Sequence, residues 1–120
     1  MDGDPGARGG PDRPQVKPVV FSPEAVTELA EAVAWYGARG EGLGTRFLDE
    51  IDHLLTLLGD HPHAFPKLLG IPQDLEVRRA LLPRFPFALV LIERPEEARV
   101  LAVAHVRRRP GYWLHRVRTR

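Results

Sequence analysis

No cysteine occurs in the 120-residue chain, which excludes a disulfide framework, a thiolate nucleophile and a zinc site with sulfur ligands. This absence fits a reducing compartment. No apolar run approaches the roughly 18 residues of a membrane span, and no apolar block follows the charged residues at the N-terminus. We therefore expect a soluble, cytoplasmic protein with neither a membrane span nor an export signal. With 43% hydrophobic residues, the chain can bury the core of one domain.

Lysine is absent from the second part of the chain, where arginine alone supplies the positive side chains. Residues 1–74 hold six basic and twelve acidic side chains, a net charge of −6. Residues 75–120 hold eleven arginines and four glutamates, a net charge of +7. From His105 onward there are six arginines and no acidic residue. Such a run suits phosphate groups or an acidic protein segment, although it is also typical of a solvated tail.

The two ends of the chain are predicted to lie outside the core. Residues 1–15 hold four glycines and three prolines with almost no apolar side chain, so burial cannot offset the entropy of ordering and we predict disorder. The folded domain is expected over residues 16–113. A basic tail follows over residues 114–120, for which a helix, a disordered tail and a part of the site all remain open.

A short strand and two helices are predicted to begin the domain. The strand covers residues 17–21, at the start or edge of a sheet because Pro18 cannot donate a ladder hydrogen bond. Ser22 as N-cap and Pro23 begin the first helix, which ends within residues 37–42. Its expected apolar face comprises Val26, Leu29, Ala30, Val33 and Tyr36.

The second helix is predicted from Leu43 to Gly59, with Gly59 in the left-handed conformation. Its expected apolar stripe comprises Phe47, Leu48, Ile51, Leu54, Leu55 and Leu58. Because few residues separate the two helices, we expect an antiparallel helical hairpin.

Prolines and a glycine interrupt residues 60–74, which indicates a loop. His61 and His63 alternate beside a proline, but no third ligand stands at a usual spacing, so we expect loop residues and no metal. We expect no cofactor either.

Three strands are predicted in the second half, over residues 76–82, 85–92 and 99–105. Short turns separate them, which favours consecutive antiparallel hairpins. The middle strand is apolar on both faces and should be central. The order is β-α-α-β-β-β, and it predicts an α+β fold in which an N-terminal strand precedes an antiparallel helical hairpin packed on a small antiparallel sheet. Which later strand the first one joins remains open.

Five sequence blocks in this order and spacing resemble the RelE/ParE superfamily of toxins from type II toxin–antitoxin modules. They are FSPEAVTELAEAVAWY, LGTRFLDEIDHLL, HPHAFPKL, VRRALLPRFPFALV and VLAVAHVRRRPGYW, and together they span residues 21–113. The resemblance implies the same α+β fold and a small antitoxin partner whose acidic C-terminal segment wraps the toxin. It also implies one of two targets, since RelE-like members cleave messenger RNA on the ribosome and ParE-like members inhibit DNA gyrase.

Individual residues favour the ParE-like branch. Ala88 stands where RelE-like nucleases carry an arginine in the central strand. A second arginine of that pattern falls at or near Val106, although Arg107 and Arg108 follow at once, and Tyr112 aligns with a C-terminal tyrosine. We therefore expect a toxin that binds DNA gyrase without catalysis.

The rival interpretation is a ribosome-dependent endoribonuclease in which His105, Arg107, Arg108 and Tyr112 are the catalytic candidates. A third is a degenerate member that only binds antitoxin. Arg78 and Arg79 lie on one strand and must face opposite ways, so only one is a site candidate and the sequence leaves open which. The candidates for binding a target or antitoxin are Arg78, Arg79, Arg84, Arg107, Arg108, Arg109, Tyr112 and Trp113.

Overall fold

A computed structural model of the chain describes residues 18–61, 63–72 and 75–118. The predicted disorder of residues 1–15 and the last two residues of the predicted tail lie outside the described residues. The elements are β1 (Val19–Phe21), α1 (Pro23–Arg39), α2 (Leu43–Asp60), β2 (Val77–Leu81), β3 (Phe87–Glu93), β4 (Ala98–His105) and a short 3-10 helix (Leu114–Arg118). The predicted order of strands and helices and the α+β class are confirmed.

Helix α1 begins at the predicted cap, and its buried face differs from the predicted one at two positions. The Ser22 hydroxyl accepts a hydrogen bond from the Ala25 N–H at 3.1 Å, which satisfies one of the free amides of the first turn. Ala25 and Ala32 are buried, whereas Val26 is 52% exposed and Ala30 is exposed as well. The predicted face was wrong at these two positions. Small alanines let α1 approach the sheet closely, and that approach turns Val26 outward.

Close approach also sets the packing of α1 against α2. Gly42 connects the helices with φ of 79°, a left-handed conformation that favours glycine. Gly44 is buried, and a Cβ on it would lie 2.8 Å from the Val33 carbonyl oxygen of α1. The helical hairpin therefore depends on glycine at both positions.

Helix α2 departs from the prediction at its end and in one member of its stripe. Gly59 is not left-handed, because the helix continues to Asp60 and the His61 N–H still donates to the Leu57 carbonyl at 2.8 Å. Leu48 is 43% exposed and does not belong to the buried face. The buried apolar residues of α2 are Phe47, Ile51, Leu54 and Leu58.

The four strands form one sheet in the order β1-β4-β3-β2. β2, β3 and β4 are antiparallel neighbours, as predicted, and β3 lies between the other two. β1 runs parallel to β4 and pairs with it from Val19↔Ala98 to Phe21↔Val100, which settles the neighbour that the sequence left open. The register of β4 against β3 shifts between Val90 and Leu91, so β4 carries a bulge at Leu101.

Both faces of the sheet are covered. The helices pack on one face, where Phe47, Leu89 and Val100 are fully buried. The opposite face has its own apolar core with Leu101, Trp113 and further residues of the loop before β2. The chain after β4 folds back over this face and buries Trp113 and Val117 there.

Candidate functional site at the end of the last strand

The bulge in β4 leaves a backbone carbonyl, that of Leu101, which β1 does not pair. The Ser22 N–H, directly after β1, donates to the Val100 carbonyl of β4 at 2.9 Å. The chain then turns away into α1. The Leu101 carbonyl then accepts hydrogen bonds from the Ser22 hydroxyl at 3.2 Å and from Arg116 Nη1 at 3.0 Å. A guanidinium from the C-terminal segment thus takes the place of a neighbouring strand.

Glu28, Tyr112 and Arg116 form a cluster between α1 and this segment, which we call the junction cluster. Arg116 Nη1 and Nη2 each donate to one Glu28 carboxylate oxygen at 3.0 Å, a bidentate pair. The Tyr112 hydroxyl donates to Glu28 Oε2 at 2.8 Å, and the Val103 N–H donates to Oε1 at 3.0 Å. The carboxylate of Glu28 therefore fixes the C-terminal segment and the edge of β4 together.

The pKa values of Tyr112 and of Arg116 are both raised by their surroundings, so both side chains keep their protons at neutral pH. Burial, and then the hydrogen bond and negative charge of Glu28, raise the pKa of Tyr112 to about 12. Burial alone would lower the pKa of Arg116, but its hydrogen bond and ion pair with Glu28 outweigh that effect and the pKa is raised. Tyr112 is therefore a neutral donor, and Arg116 is a cation paired with Glu28.

Residues 107–109, which we call the basic loop, follow β4 after one intervening residue, Val106, and are exposed. The Arg107 N–H donates to His105 Nδ1 at 3.1 Å, and the Arg108 N–H donates to the His105 carbonyl at 3.0 Å. The Arg108 guanidinium lies 3.8 Å from the centroid of the Tyr112 ring, with Arg116 at 5.0 Å from the same centroid. The Tyr112 ring therefore connects Arg108 of the basic loop with the other members of the junction cluster.

Arg79, not Arg78, belongs to the face that carries the basic loop. Arg79 borders a hollow of about 170 Å³ together with His105, Arg108 and Ala88, and the methyl group of Ala88 offers no charge there. Tyr112 and Arg109 also line this hollow.

Arg78 is buried on the helix side and anchors the loop before β2. Its Nη1 donates to the Phe65 carbonyl at 2.7 Å, and its Nη2 lies 3.0 Å from His63 Nδ1 and 3.6 Å from Glu76 Oε1. These partners all lie between α2 and β2, and no carboxylate of α1 or α2 is among them.

The remaining candidates lie apart from the junction cluster or are inside the core. Arg84 is exposed in the turn before β3, where its backbone N–H donates to Glu50 Oε1 at 3.2 Å. Trp113 is 5% exposed and packs in the second core. Over the described ranges, no group of three potential metal ligands comes together, and no helix is long and apolar enough to cross a membrane.

Sequence reasoning missed Glu28 and Arg116. Glu28 follows Ala25 by three residues and precedes Ala32 by four, so it occupies the buried face of α1. An acidic residue on a buried face indicates an ionic partner, but the predicted apolar face of α1 did not include Ala25 or Ala32 and so did not mark Glu28. Arg116 was counted in the basic run, where nothing local distinguishes it from its exposed neighbours.

The fold is shared with a chain of a solved structure. A solved structure described as the chromosomal ParDE toxin–antitoxin system from P. aeruginosa superposes with a TM-score of 0.61, at 15% sequence identity, over 75% of this chain and 96% of that chain. No curated protein matches the chain by sequence.

The match to a sequence family is more specific than the match of folds. A sequence model described as the ParE toxin of the type II toxin–antitoxin system parDE matches residues 19–110. The chain belongs to this family of toxins, in agreement with the resemblance that the five sequence blocks indicated.

Proposed function

We propose that this toxin acts in the cytoplasm by binding DNA gyrase through the basic loop and is neutralised by a cognate antitoxin. Membership of the ParE family over residues 19–110 carries the proposal. The chemistry of the hollow supports it, since Ala88 contributes no charge and the Tyr112 hydroxyl already donates a hydrogen bond to Glu28. A tyrosine with a pKa of about 12 is a poor proton acceptor at neutral pH.

Gyrase inhibition is tested by a supercoiling assay with purified toxin. We expect wild-type toxin to stop supercoiling and Arg108→Glu to lose at least about tenfold in potency, because the exposed guanidinium is replaced by the opposite charge. Arg46→Glu is the matched control, since Arg46 is an equally exposed arginine that belongs to α2 and not to the basic loop. Gyrase that remains fully active at a large excess of wild-type toxin would exclude this target.

A ribosome-dependent endoribonuclease is the second candidate, supported by the arginines that surround the hollow. Arg79, Arg108 and Arg109 border it together with His105, so positive charge and an imidazole share one concave surface. Primer extension on transcripts from induced cells would then reveal cleavage within codons. This cleavage should disappear in Arg108→Ala, and RNA affinity should fall by about 0.7 log units per log unit of salt for each phosphate contact.

Antitoxin binding is the part of the proposal that does not depend on the target. An acidic segment complements the basic loop, whose three arginines are exposed and are followed by no acidic residue in the chain. Size-exclusion chromatography of the toxin mixed with the product of the neighbouring gene tests it. A complex that weakens with salt is expected, whereas two separate peaks at low salt would contradict antitoxin binding.

A further inference from the structure

Three arginine side chains converge on the hollow of about 170 Å³ without an acidic partner. Arg79 borders it from β2, whereas Arg108 and Arg109 border it from the basic loop. Among the residues that the structure describes, no acidic side chain lines this hollow, and none forms an ion pair with any of the three guanidinium groups. Arg99 and Arg116, by contrast, each lie within 3.2 Å of a glutamate carboxylate. The hollow therefore gathers positive charge that the described chain does not neutralise.

The hollow is held in shape by rigid elements. Ala88 and Ala104 face each other in the β3–β4 register, and their small side chains leave the room that the arginines border. The Arg108 guanidinium stacks on the Tyr112 ring at 3.8 Å, and Tyr112 is fixed in turn by the junction cluster. Part of the entropy of ordering is therefore lost on folding, before an anion binds.

The charge and the size of the hollow favour a phosphate group over a carboxylate. Guanidinium groups form paired hydrogen bonds with phosphate oxygens. A single carboxylate would neutralise one of the three charges, whereas duplex DNA supplies about one negative charge per 1.7 Å of its axis. The volume of about 170 Å³ is below the roughly 300–1,000 Å³ of pockets that enclose a whole drug-sized ligand, so it suits one small anionic group of a larger molecule. A nucleic-acid backbone meets both requirements.

We propose that this hollow binds a backbone phosphate of the duplex DNA that gyrase holds, so that the toxin contacts both the enzyme and its DNA. The phosphodiester is held and not cleaved, since Ala88 offers no charge and the Tyr112 hydroxyl donates to Glu28 at 2.8 Å. This favours bound DNA over a message that is cut. The inference rests on the proposed function, because gyrase presents the DNA.

The contact is tested by fluorescence anisotropy of toxin labelled at its N-terminus and titrated with gyrase, with and without a bound DNA duplex. We expect DNA to raise the affinity of wild-type toxin for gyrase by about tenfold, as is typical of a hydrogen bond to a charged group. Arg79→Gln should lose this gain, because the glutamine amide carries no charge. Arg46→Gln changes an exposed arginine of α2 that does not border the hollow, and it should keep the gain. Circular dichroism and thermal unfolding establish that both variants fold.

The dependence on salt identifies the ligand as a phosphate. Each phosphate contact with duplex DNA contributes about 0.9 to the slope of log affinity against log salt concentration. With DNA bound to gyrase, the slope for Arg79→Gln should therefore be about 0.9 shallower than the wild-type slope, and the slope for Arg46→Gln should equal it. Equal slopes for Arg79→Gln and the wild type would contradict a phosphate at Arg79.

Failure of this inference and failure of the proposed function have different signatures. Wild-type toxin that binds gyrase equally well with and without DNA, or a gain from DNA that persists in Arg79→Gln, would overturn the phosphate contact while gyrase stays the target. Toxin that binds gyrase neither with nor without DNA would overturn the proposed target, and this inference with it. Binding to ribosomes carrying a message that is weakened by Arg79→Gln, without any binding to gyrase, would assign the hollow to RNA and also overturn the inference.

Discussion

The face of the sheet under the helices is closed by side chains from helices and strands with regular apolar periods, whereas the opposite face is closed by a segment with little regular structure. On the helix face, the Phe47 ring contacts those of Tyr36, Phe85 and Phe87 at centroid distances of 5.6, 5.1 and 5.0 Å. On the opposite face, Trp113 and Val117 are buried, and the segment that carries them is tied to α1 by the Glu28–Arg116 pair.

The difference concerns how each face depends on charge. The helix-face core consists of apolar side chains and gains stability in proportion to the area it buries, and Arg78 on that side is held mainly by the Phe65 carbonyl. The opposite face depends in addition on one ionic contact at its margin, where the side chains of Arg116 and Glu28 are 8% and 14% exposed. Changes of volume should therefore dominate on the helix face, and changes of charge should dominate at the junction cluster.

Phe47→Ala should have the largest effect on stability. It removes a fully buried ring from the centre of the aromatic contacts, and such truncations typically lower the free energy of unfolding by about 4 kcal/mol. Urea denaturation measures this change. Leu48→Ala, next to it on α2 but 43% exposed, should change the value by less than about 1 kcal/mol. Equal losses in the two variants would contradict the assignment of the buried face.

Glu28→Ala should have the next largest effect, at the other face. Removing the carboxylate leaves Arg116 buried without its counterion, for which about 3 kcal/mol is expected in the free energy of unfolding. The double variant Glu28→Ala/Arg116→Ala should lose about 2 kcal/mol less than the sum of the single variants. Strict additivity in this double-mutant cycle would mean that the pair does not hold the segment.

Much of the fold follows from local sequence rules. Ser22 and Pro23 fix the start of α1, and short turns between apolar runs predict the two hairpins of the sheet. The rotation of α1 about its axis does not follow from them, since Val26 is more apolar than Ala25 and yet is the exposed one of the two. Only the close packing of the helix against its neighbours decides between them.

The candidate site was predicted only in outline. The basic loop is visible in the sequence because its arginines are adjacent, but the partners of Tyr112 are not. Glu28 and Arg116 are separated by 88 positions, and their contact exists only after β4 has been placed beside α1. The sequence did not show which of Arg78 and Arg79 is the site candidate, because the strand pattern allows either to face the helices. The contacts of Arg78 with the loop before β2 place it on the helix side.

Tyr112→Phe should have the smallest effect at neutral pH and a distinct dependence on pH. Loss of the hydroxyl donor to Glu28 should lower the free energy of unfolding by about 1 kcal/mol at pH 7. The pKa of Tyr112 rises from 10.0 to about 12 on folding, so the folded wild type binds more protons than the unfolded chain between these values. Its stability contribution is complete below pH 10 and is lost as the pH rises toward 12.

The phenylalanine variant lacks this contribution, so its stability should fall less steeply than that of the wild type across the alkaline range. Urea denaturation at about pH 8 and about pH 11 measures the two slopes. Tyr36, whose pKa is also raised by burial, is present in both proteins, so the difference between the slopes isolates Tyr112. Parallel slopes would show that Tyr112 ionises alike in the folded and unfolded chains. Neither burial nor the hydrogen bond to Glu28 would then raise its pKa on folding.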